Sequence, residues 1–276
     1  GKTSTLLMTS GRSKIKLPTL EPAEFPFEVP TESAPELTIT PEIIKGIERC
    51  LLSAGSDPTH PAQMGVTLEA EGVNAMLYST DNVTISMART ESPVELPAGS
   101  PVILPTFFCE QLISLSKAFP AAEPVLVLLS GGLLVDFIGT AGTVASLFSK
   151  TVVDLEPIDF PAIVSRFIDP AKPKGLMKIP DALDSAFGRA LRVLSHEVAK
   201  TTTMTIADKV LTLTSDSALG QSDDEVSFDH PDVSVRVDPA LVVRGLKACS
   251  KMSVAKKVLV LSDETHDFLH LISYVA

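Results

Sequence analysis

The sequence contains no tryptophan and only two tyrosines among its 276 residues. It therefore lacks the interleaved aromatic and basic side chains on which proteins stack the bases of single-stranded nucleic acid. Cysteine is scarce too. Cys50, Cys109 and Cys249 form no closely spaced pair, which argues against a disulfide framework or a thiolate zinc site and favours a reducing, cytoplasmic compartment. Each thiol falls in an apolar helical pattern and reads as a buried structural group. Gly1-Lys2-Thr3 introduces no apolar stretch of the kind a secretory signal needs. The longest apolar run, Pro124 to Phe148, is broken by the turn pair Gly131-Gly132 and by Asp136. Its Val, Leu, Ile and Phe content fits buried strands, not a membrane helix. Also missing are a glycine-rich phosphate loop after a strand, EF-hand or HExxH spacing, and a helix-turn-helix pattern. What remains is the composition of a soluble globular protein, 45% hydrophobic and 21% charged, with a net charge of −11. That acidity argues against indiscriminate nucleic-acid binding, although the distribution of charge matters more than its sum.

The chain repeats its own architecture. Pro41-Glu42-Ile43-Ile44-Lys45 parallels Pro180-Asp181-Ala182-Leu183-Asp184, and Ser79-Thr80-Asp81 parallels Thr214-Ser215-Asp216. Val125-Leu126-Val127-Leu128-Leu129-Ser130 parallels Val258-Leu259-Val260-Leu261-Ser262 in the same order. The period far exceeds the roughly 20–50 residues of solenoid units, so the repeat is a duplicated domain. The stretch from Leu6 to Leu17 resembles the hairpin that closes each copy. The chain is thus expected to begin inside the last hairpin of an earlier, mostly absent copy. Residues 21–35 and 157–174 are rich in proline and read as extended linkers. They separate a terminal hairpin (1–20), a middle domain (36–156) and a C-terminal domain (175–276).

Each complete copy reads as strand, helix, strands, helix and closing hairpin, an α+β unit with two helices on a largely antiparallel sheet. In the middle copy the periodicity predicts helices over 41–54 and 106–119. Thr40 is the expected N-cap and Pro41 the first helical residue. Strands are predicted at 66–71, 75–80 and 83–88, with a hairpin of 125–130 and 133–138. In the second copy helices are predicted over 181–195 and 239–250. Strands are predicted at 204–206, 210–214, 233–237, 258–261 and 268–275.

The outward faces of these helices are basic in an otherwise acidic chain. Lys45 and Arg49 are i,i+4 neighbours, Arg189 and Arg192 are i,i+3 neighbours, and Lys117 ends the other helix of the middle copy. Arg244, Lys247 and Lys251 form a predicted i,i+3,i+7 stripe. Acidic residues on these helices sit mostly in first turns, where the dipole favours them. Ordinary solvated helix faces would account for any one pair. The recurrence on duplicated helices fits a surface that neutralises phosphates without reading sequence.

A further stretch carries a family resemblance. The run Ser10-Gly11-Arg12-Ser13-Lys14-Ile15-Lys16-Leu17-Pro18-Thr19-Leu20-Glu21-Pro22-Ala23-Glu24-Phe25-Pro26 resembles the segment that closes the first domain of bacterial β sliding clamps and leads into the second. These are the processivity subunits of the replicative DNA polymerase. Ser79-Thr80-Asp81, Ser149-Lys150, Asp159-Phe160-Pro161 and Tyr274-Val275 match as well. The resemblance implies a duplicated DNA-clamp fold and a non-enzymatic, cofactor-free homodimeric ring around double-stranded DNA. It also implies a cytoplasmic, nucleoid-associated protein with no membrane partner. The DNA lining would comprise Lys45, Arg49, Lys117, Arg189, Arg192, Lys200, Arg244, Lys247 and Lys251. Ring closure would use Ile15 and Leu17 against Val193 and Leu194, although Val193 and Leu194 read equally well as core.

Polymerase, clamp loader and other clamp-binding peptides would enter a cleft between the two complete domains. One wall would be Thr80, Asp81, Asn82, Val83, Thr84 and Ile85, the linker wall Pro161, Val164 and Arg166, and the far edge Tyr274 and Val275. Asn82-Val83-Thr84 departs from the Gly-His-Arg common in the family, and the family usually extends past its Tyr-Val pair, whereas this chain stops at Ala276. Two alternatives stay open. One is a clamp-fold interaction module that does not encircle DNA. The other is an enzyme or metal site using Asp223, Asp224, Glu225, Asp229, His230 and Asp232, which otherwise read as a solvated acidic loop. His266 and His270 alternate with apolar residues and have no acid or cysteine pattern for a triad.

Overall fold

The structure, a computed structural model, describes residues 4–11, 13–19, 34–92, 96, 101–129, 131–150, 158–170, 173–218 and 220–275. It divides into two compact units, 1–34 and 35–276. The first unit holds an antiparallel hairpin of β1 (Ser4–Ser10) and β2 (Ser13–Thr19). Its tight connection uses Gly11 at φ 57°, a conformation that a residue without Cβ adopts freely. Leu7, Met8 and Ile15 are exposed on it.

The first half of the larger unit runs β3 (Glu36–Thr38), α1 (Pro41–Cys50), β4 (Gly65–Glu71), β5 (Asn74–Thr80) and β6 (Thr84–Thr90). It continues with β7 (Val102–Pro105), α2 (Thr106–Ala118), β8 (Glu123–Leu129), β9 (Gly132–Gly139) and β10 (Gly142–Lys150). A short helix α3 (Phe160–Val164) follows. The second half runs β11 (Met177–Lys178), α4 (Leu183–Val193), β12 (Thr202–Ala207), β13 (Val210–Ser217), β14 (Gly220–Ser227) and β15 (Val233–Val237). It ends with α5 (Pro239–Leu246), β16 (Lys251–Ala255), β17 (Val258–Ser262) and β18 (Phe268–Ser273). Each half carries a four-stranded antiparallel sheet, ordered β10-β9-β8-β3 in the first and β14-β13-β12-β15 in the second. The remaining strands of both halves merge into one eight-stranded sheet, β11-β16-β17-β18-β6-β5-β4-β7. The seam is the antiparallel pairing of β18 with β6, from Phe268 opposite Ala88 to Ile272 opposite Thr84.

The α1 start follows from its sequence. Thr40 Oγ1 accepts a hydrogen bond from Ile43 N at 3.3 Å, and Pro41 begins the helix. Ile43, Ile47 and Cys50 form the buried stripe. Helices α1 and α5 each approach the large sheet through a glycine. A Cβ on Gly46 would lie 2.6 Å from Leu77 Cδ1, and one on Gly245 would lie 2.5 Å from Leu261 Cδ1. The two helices of each half pack on each other, α1 on α2 and α4 on α5.

The large sheet is buried on both faces, so β5 is buried along its whole length and β17 and β18 are nearly continuous apolar runs. Leu77, Leu259 and Leu261 face the helices. Met76, Tyr78, Met87, Val258, Val260, Leu269 and Leu271 face the other way and form a third core cluster with Phe160.

That cluster corrects the reading of 157–174 as a plain extended linker. Asp159 Oδ1 accepts from Ala162 N at 2.9 Å and caps α3. Phe160, 1% exposed, stacks on Tyr78 with ring centroids 5.1 Å apart. The acidic stretch around 223–225 is likewise strand β14, not a loop. It is an edge strand, where charged side chains discourage pairing with stray chains. Lys251 opens β16, and α5 stops at Leu246, so the predicted i,i+7 stripe does not lie on one helix.

Replacing Phe160 by alanine is expected to lower the unfolding free energy by about 3 kcal/mol in urea denaturation, as for other fully buried aromatics. A loss below about 1 kcal/mol would contradict the linker helix as part of the core.

Candidate nucleic-acid surface and interdomain cleft

The predicted DNA-facing cations fall into two groups. Lys45 from α1 and Lys247 just past α5 are exposed, and together with Arg49 they line a groove of about 420 Å³ across the seam. Arg192 is exposed at the end of α4, and Lys200 is half-buried in the loop before β12. None of Lys45, Arg192, Lys200 and Lys247 forms a salt bridge among the described residues.

The other cations are engaged within the chain. Arg49 Nη1 binds Asp263 Oδ2 at 2.7 Å, and its guanidinium lies 5.2 Å from the Phe268 ring centre. Arg244 Nη1 donates to the Leu52 carbonyl at 2.9 Å. Arg49 thus reaches from the first half to the second, and Arg244 reaches back. Lys117 pairs with Glu48 at 2.8 Å, and Lys251 with Glu264 at 3.2 Å. Arg189 donates from Nε and Nη2 to Asp224 Oδ1 at 2.8 and 2.6 Å. Hydrogen bonds from Arg189 hold Asp224 below the usual carboxylate range, and those from Lys251 and Ser250 do the same for Glu264. Solvent screens exposed pairs of this kind, so they hold these cations only weakly. Arg49 differs in that its ion pair, with both side chains mostly covered, joins the first half of the unit to the second.

Several groups of the metal alternative have other partners. Asp224 holds Arg189, and Asp229 pairs with Lys209 at 3.1 Å. His230 Nε2 accepts from Val254 N at 3.1 Å. Among the described residues no three His, Cys, Asp or Glu side chains gather into a ligand set. Burial pushes the Cys109 and Cys249 thiols up to about 12, and the Cys50 thiol higher still, so all three are protonated and unreactive at neutral pH.

His270 sits at the seam. Its Nδ1 lies 2.9 Å from Ser86 Oγ and 3.4 Å from Ser53 Oγ, and those hydroxyls are 2.8 Å apart. A serine–histidine contact invites a catalytic reading. However, the ring is 1% exposed, and Nε2 has no hydrogen-bond partner among the described residues. Burial, with the nearby Arg244 charge, lowers its pKa to about 4, while Asp81 opposes the shift. The imidazole is therefore neutral and structural.

The second site is a cleft of about 380 Å³ on the sheet face opposite the helices. Thr80, Asn82, Val83 and Ile85 form one wall. Asp81 and Thr84 build the turn behind it. Asp81 Oδ1 accepts from Val83 N, Thr84 N and Thr84 Oγ1 at 3.0, 2.6 and 2.9 Å. Asn82 adopts φ 70°, a conformation asparagine tolerates, and its Oδ1 accepts from Gln63 Nε2 at 2.7 Å.

The linker wall differs from expectation in its residues. Ile158, Phe160, Ile163 and Phe167 line the cavity. Val164 is buried beneath it, and Pro161 and Arg166 are exposed outside the lining. On the far edge the lining is Lys257, Val258, Leu271 and Ser273. Tyr274 supports that edge, donating from Oη to Ala255 O at 2.7 Å. Val275 instead bridges Arg236. The missed lining from 158–167 had a signal, since Asp159 before Phe160-Pro161 is a helix-start pattern and Ile163 and Phe167 are i,i+4 neighbours.

Of the predicted subunit contacts, Ile15 is exposed on β2. Leu17 lies on β2 opposite Leu6, with its side chain outside the described residues. Val193 ends α4 half-buried, and Leu194 is 2% exposed and already covered within the chain.

The buried His270 predicts a pH dependence. Its folded pKa, near 4, lies below the ordinary 6.5, so the unfolded chain takes the proton first as pH falls. Stability from the neutral ring is complete above about pH 6.5 and is lost on the way down to about pH 4. In urea titrations between pH 6 and 4.5, the wild type should lose up to about 1.4 kcal/mol per pH unit more than His270→Gln. Equal slopes would contradict this.

No protein-family model matches the chain, and no curated protein matches it in sequence. Solved structures do match. The DNA polymerase III β chain of Streptococcus pneumoniae TIGR4 aligns with 100% of this chain and 74% of its own, at TM-score 0.80 and 17% identity. The Thermotoga maritima β subunit aligns with 99% of this chain and 74% of its own, at TM-score 0.80 and 16% identity. The C. crescentus β sliding clamp aligns with 100% of this chain and 74% of its own, at TM-score 0.76 and 20% identity. The chain therefore has the α+β fold of the bacterial β sliding clamps, in a strongly diverged sequence.

Proposed function

We propose that this protein is a DNA sliding clamp, a polymerase processivity factor that encircles duplex DNA without reading its sequence. The fold likeness over essentially the whole chain carries the reading. The organisation proposed is that read from the sequence, with a terminal hairpin (1–20) and two complete clamp domains (36–156 and 175–276) joined by the linkers at 21–35 and 157–174. The helix face would meet DNA, with Lys45, Lys247 and Arg192 making the main phosphate contacts. Lys200 would add to them, and Lys117, Arg189 and Lys251 would exchange their carboxylates for phosphates. Arg49 and Arg244 would chiefly hold the seam.

The exposed hairpin residue Ile15, with Leu17, would meet a second copy near Val193 and the edge strand β14, closing a homodimeric ring. Leu194 would support that surface from within. DNA polymerase, the clamp loader and other partners would dock through the cleft, and the protein would reside with the nucleoid in the cytoplasm. Catalysis plays no part in this role.

A second reading, a clamp-fold interaction module that does not encircle DNA, gains support from the intrachain pairing of Arg49, Lys117, Arg189 and Lys251. The two readings separate in a loading experiment. With its clamp loader, the full-length protein should be retained on nicked circular DNA and lost when the circle is linearised. The Lys45→Glu/Lys247→Glu variant should reduce retention by at least about tenfold, with a shallower salt dependence and unchanged unfolding. No difference between circular and linear DNA would overturn the clamp reading, and unchanged retention in the variant would overturn the assigned surface.

A further inference from the structure

The cleft lining is uneven in charge. Its polar members Gln63, Thr80, Asn82 and Ser273 are neutral, and among the described residues no carboxylate lines it and Lys257 is the single charged side chain. Lys257 stands in the turn between β16 and β17 at φ 67°. Its backbone N–H donates to Tyr274 Oη at 3.1 Å, and the same hydroxyl donates to Ala255 O at 2.7 Å. One phenol thus clamps the turn that carries the lysine. The ammonium forms no salt bridge or side-chain hydrogen bond among the described residues. Other cations of the second half, such as Arg189, Lys209 and Lys251, do have carboxylate partners. A cation that lines an apolar cavity and has no carboxylate partner among the described residues is complementary to an anionic side chain beside apolar anchors.

We propose that the cleft selects extended peptide segments that carry a carboxylate next to their apolar anchors, and that Lys257 is the residue that reads the carboxylate. The inference rests on the cleft being a peptide site, and it adds which peptides that site prefers. At about 380 Å³ the cavity has room for a few side chains, which suits a short segment and not a folded surface. Ile163, Phe167 and Leu271 would take the anchors, and Gln63 and Asn82 would meet the peptide backbone.

The test is fluorescence anisotropy on the full chain. The probes are labelled, end-capped hexapeptides with leucine at alternate positions and a single aspartate scanned through the intervening serines. Each is compared with its asparagine counterpart. At least one aspartate peptide should bind roughly twofold to fivefold tighter than its counterpart, the upper part of the range of an exposed charge pair. The preference should shrink as salt is raised. Lys257→Gln should bring the ratio of aspartate-peptide to asparagine-peptide affinity to about one, with the fold intact because the backbone bond to Tyr274 does not involve the side chain. Ile163→Asn should weaken both peptides alike. A preference that persists in Lys257→Gln, or no preference in the wild type, overturns the role of Lys257 but keeps the peptide site. Failure of every hexapeptide to bind the wild type overturns the peptide site itself.

Discussion

The pairing of β6 with β18 is the constraint on which the rest of the larger unit depends. These strands are far apart in sequence, and joining them closes a long loop whose entropic cost must be met by what the junction buries. The joined sheet is covered on both faces. On one side α1 and α5 come close enough that Gly46 and Gly245 leave no room for a Cβ. On the other, Phe160 and its neighbours lie over Tyr78, Val260 and Leu269. Both candidate sites are consequences of this closure. The groove that carries Lys45 and Lys247 straddles the seam on the helix face, and the cleft opens on the opposite, linker face.

The seam is also where polar groups carry the most risk. His270, Ser53 and Ser86 are buried together, and His270 keeps one ring nitrogen without a partner among the described residues. An unpaired buried polar group costs about 1–3 kcal/mol, so the network fixes register more than it adds stability. Arg49 and Arg244 complete the junction as reciprocal tethers. Their charge reads as part of a phosphate-binding surface in the sequence, yet their geometry gives them a structural role first.

Much of this was legible in the residues. Thr40-Pro41 and the Ile43/Ile47 spacing marked α1 to within one turn, and the duplicated strand runs marked the closing strands of each half. The family resemblance at Ser79-Thr80-Asp81 drew attention to residues that line the cleft. Other features were hidden for physical reasons. A sheet buried on both faces loses the alternation that distinguishes strand from helix, so the outer-face role of Val258 and Leu271 had no local signature. Strand β14 carries Asp223, Asp224 and Glu225 because it is an edge, and that composition mimics a loop. Short α3 sits among prolines that suggest a linker. Its burial depends on Tyr78, which no local pattern connects to it. The ion pairs Arg49–Asp263 and Arg189–Asp224 join residues distant in sequence, so the cations looked free until the fold brought the acids to them.

The central claim is that the two halves form one cooperative body through the β6–β18 seam. Native-state hydrogen exchange of the amides in β5, β6, β17 and β18 tests it most directly. Amides in all four strands should exchange only through a common opening, with the same free energy and the same denaturant dependence as global unfolding. If β17 and β18 instead exchange through a lower-energy opening that leaves β5 and β6 protected, the halves are independent domains that merely touch, and the account is wrong.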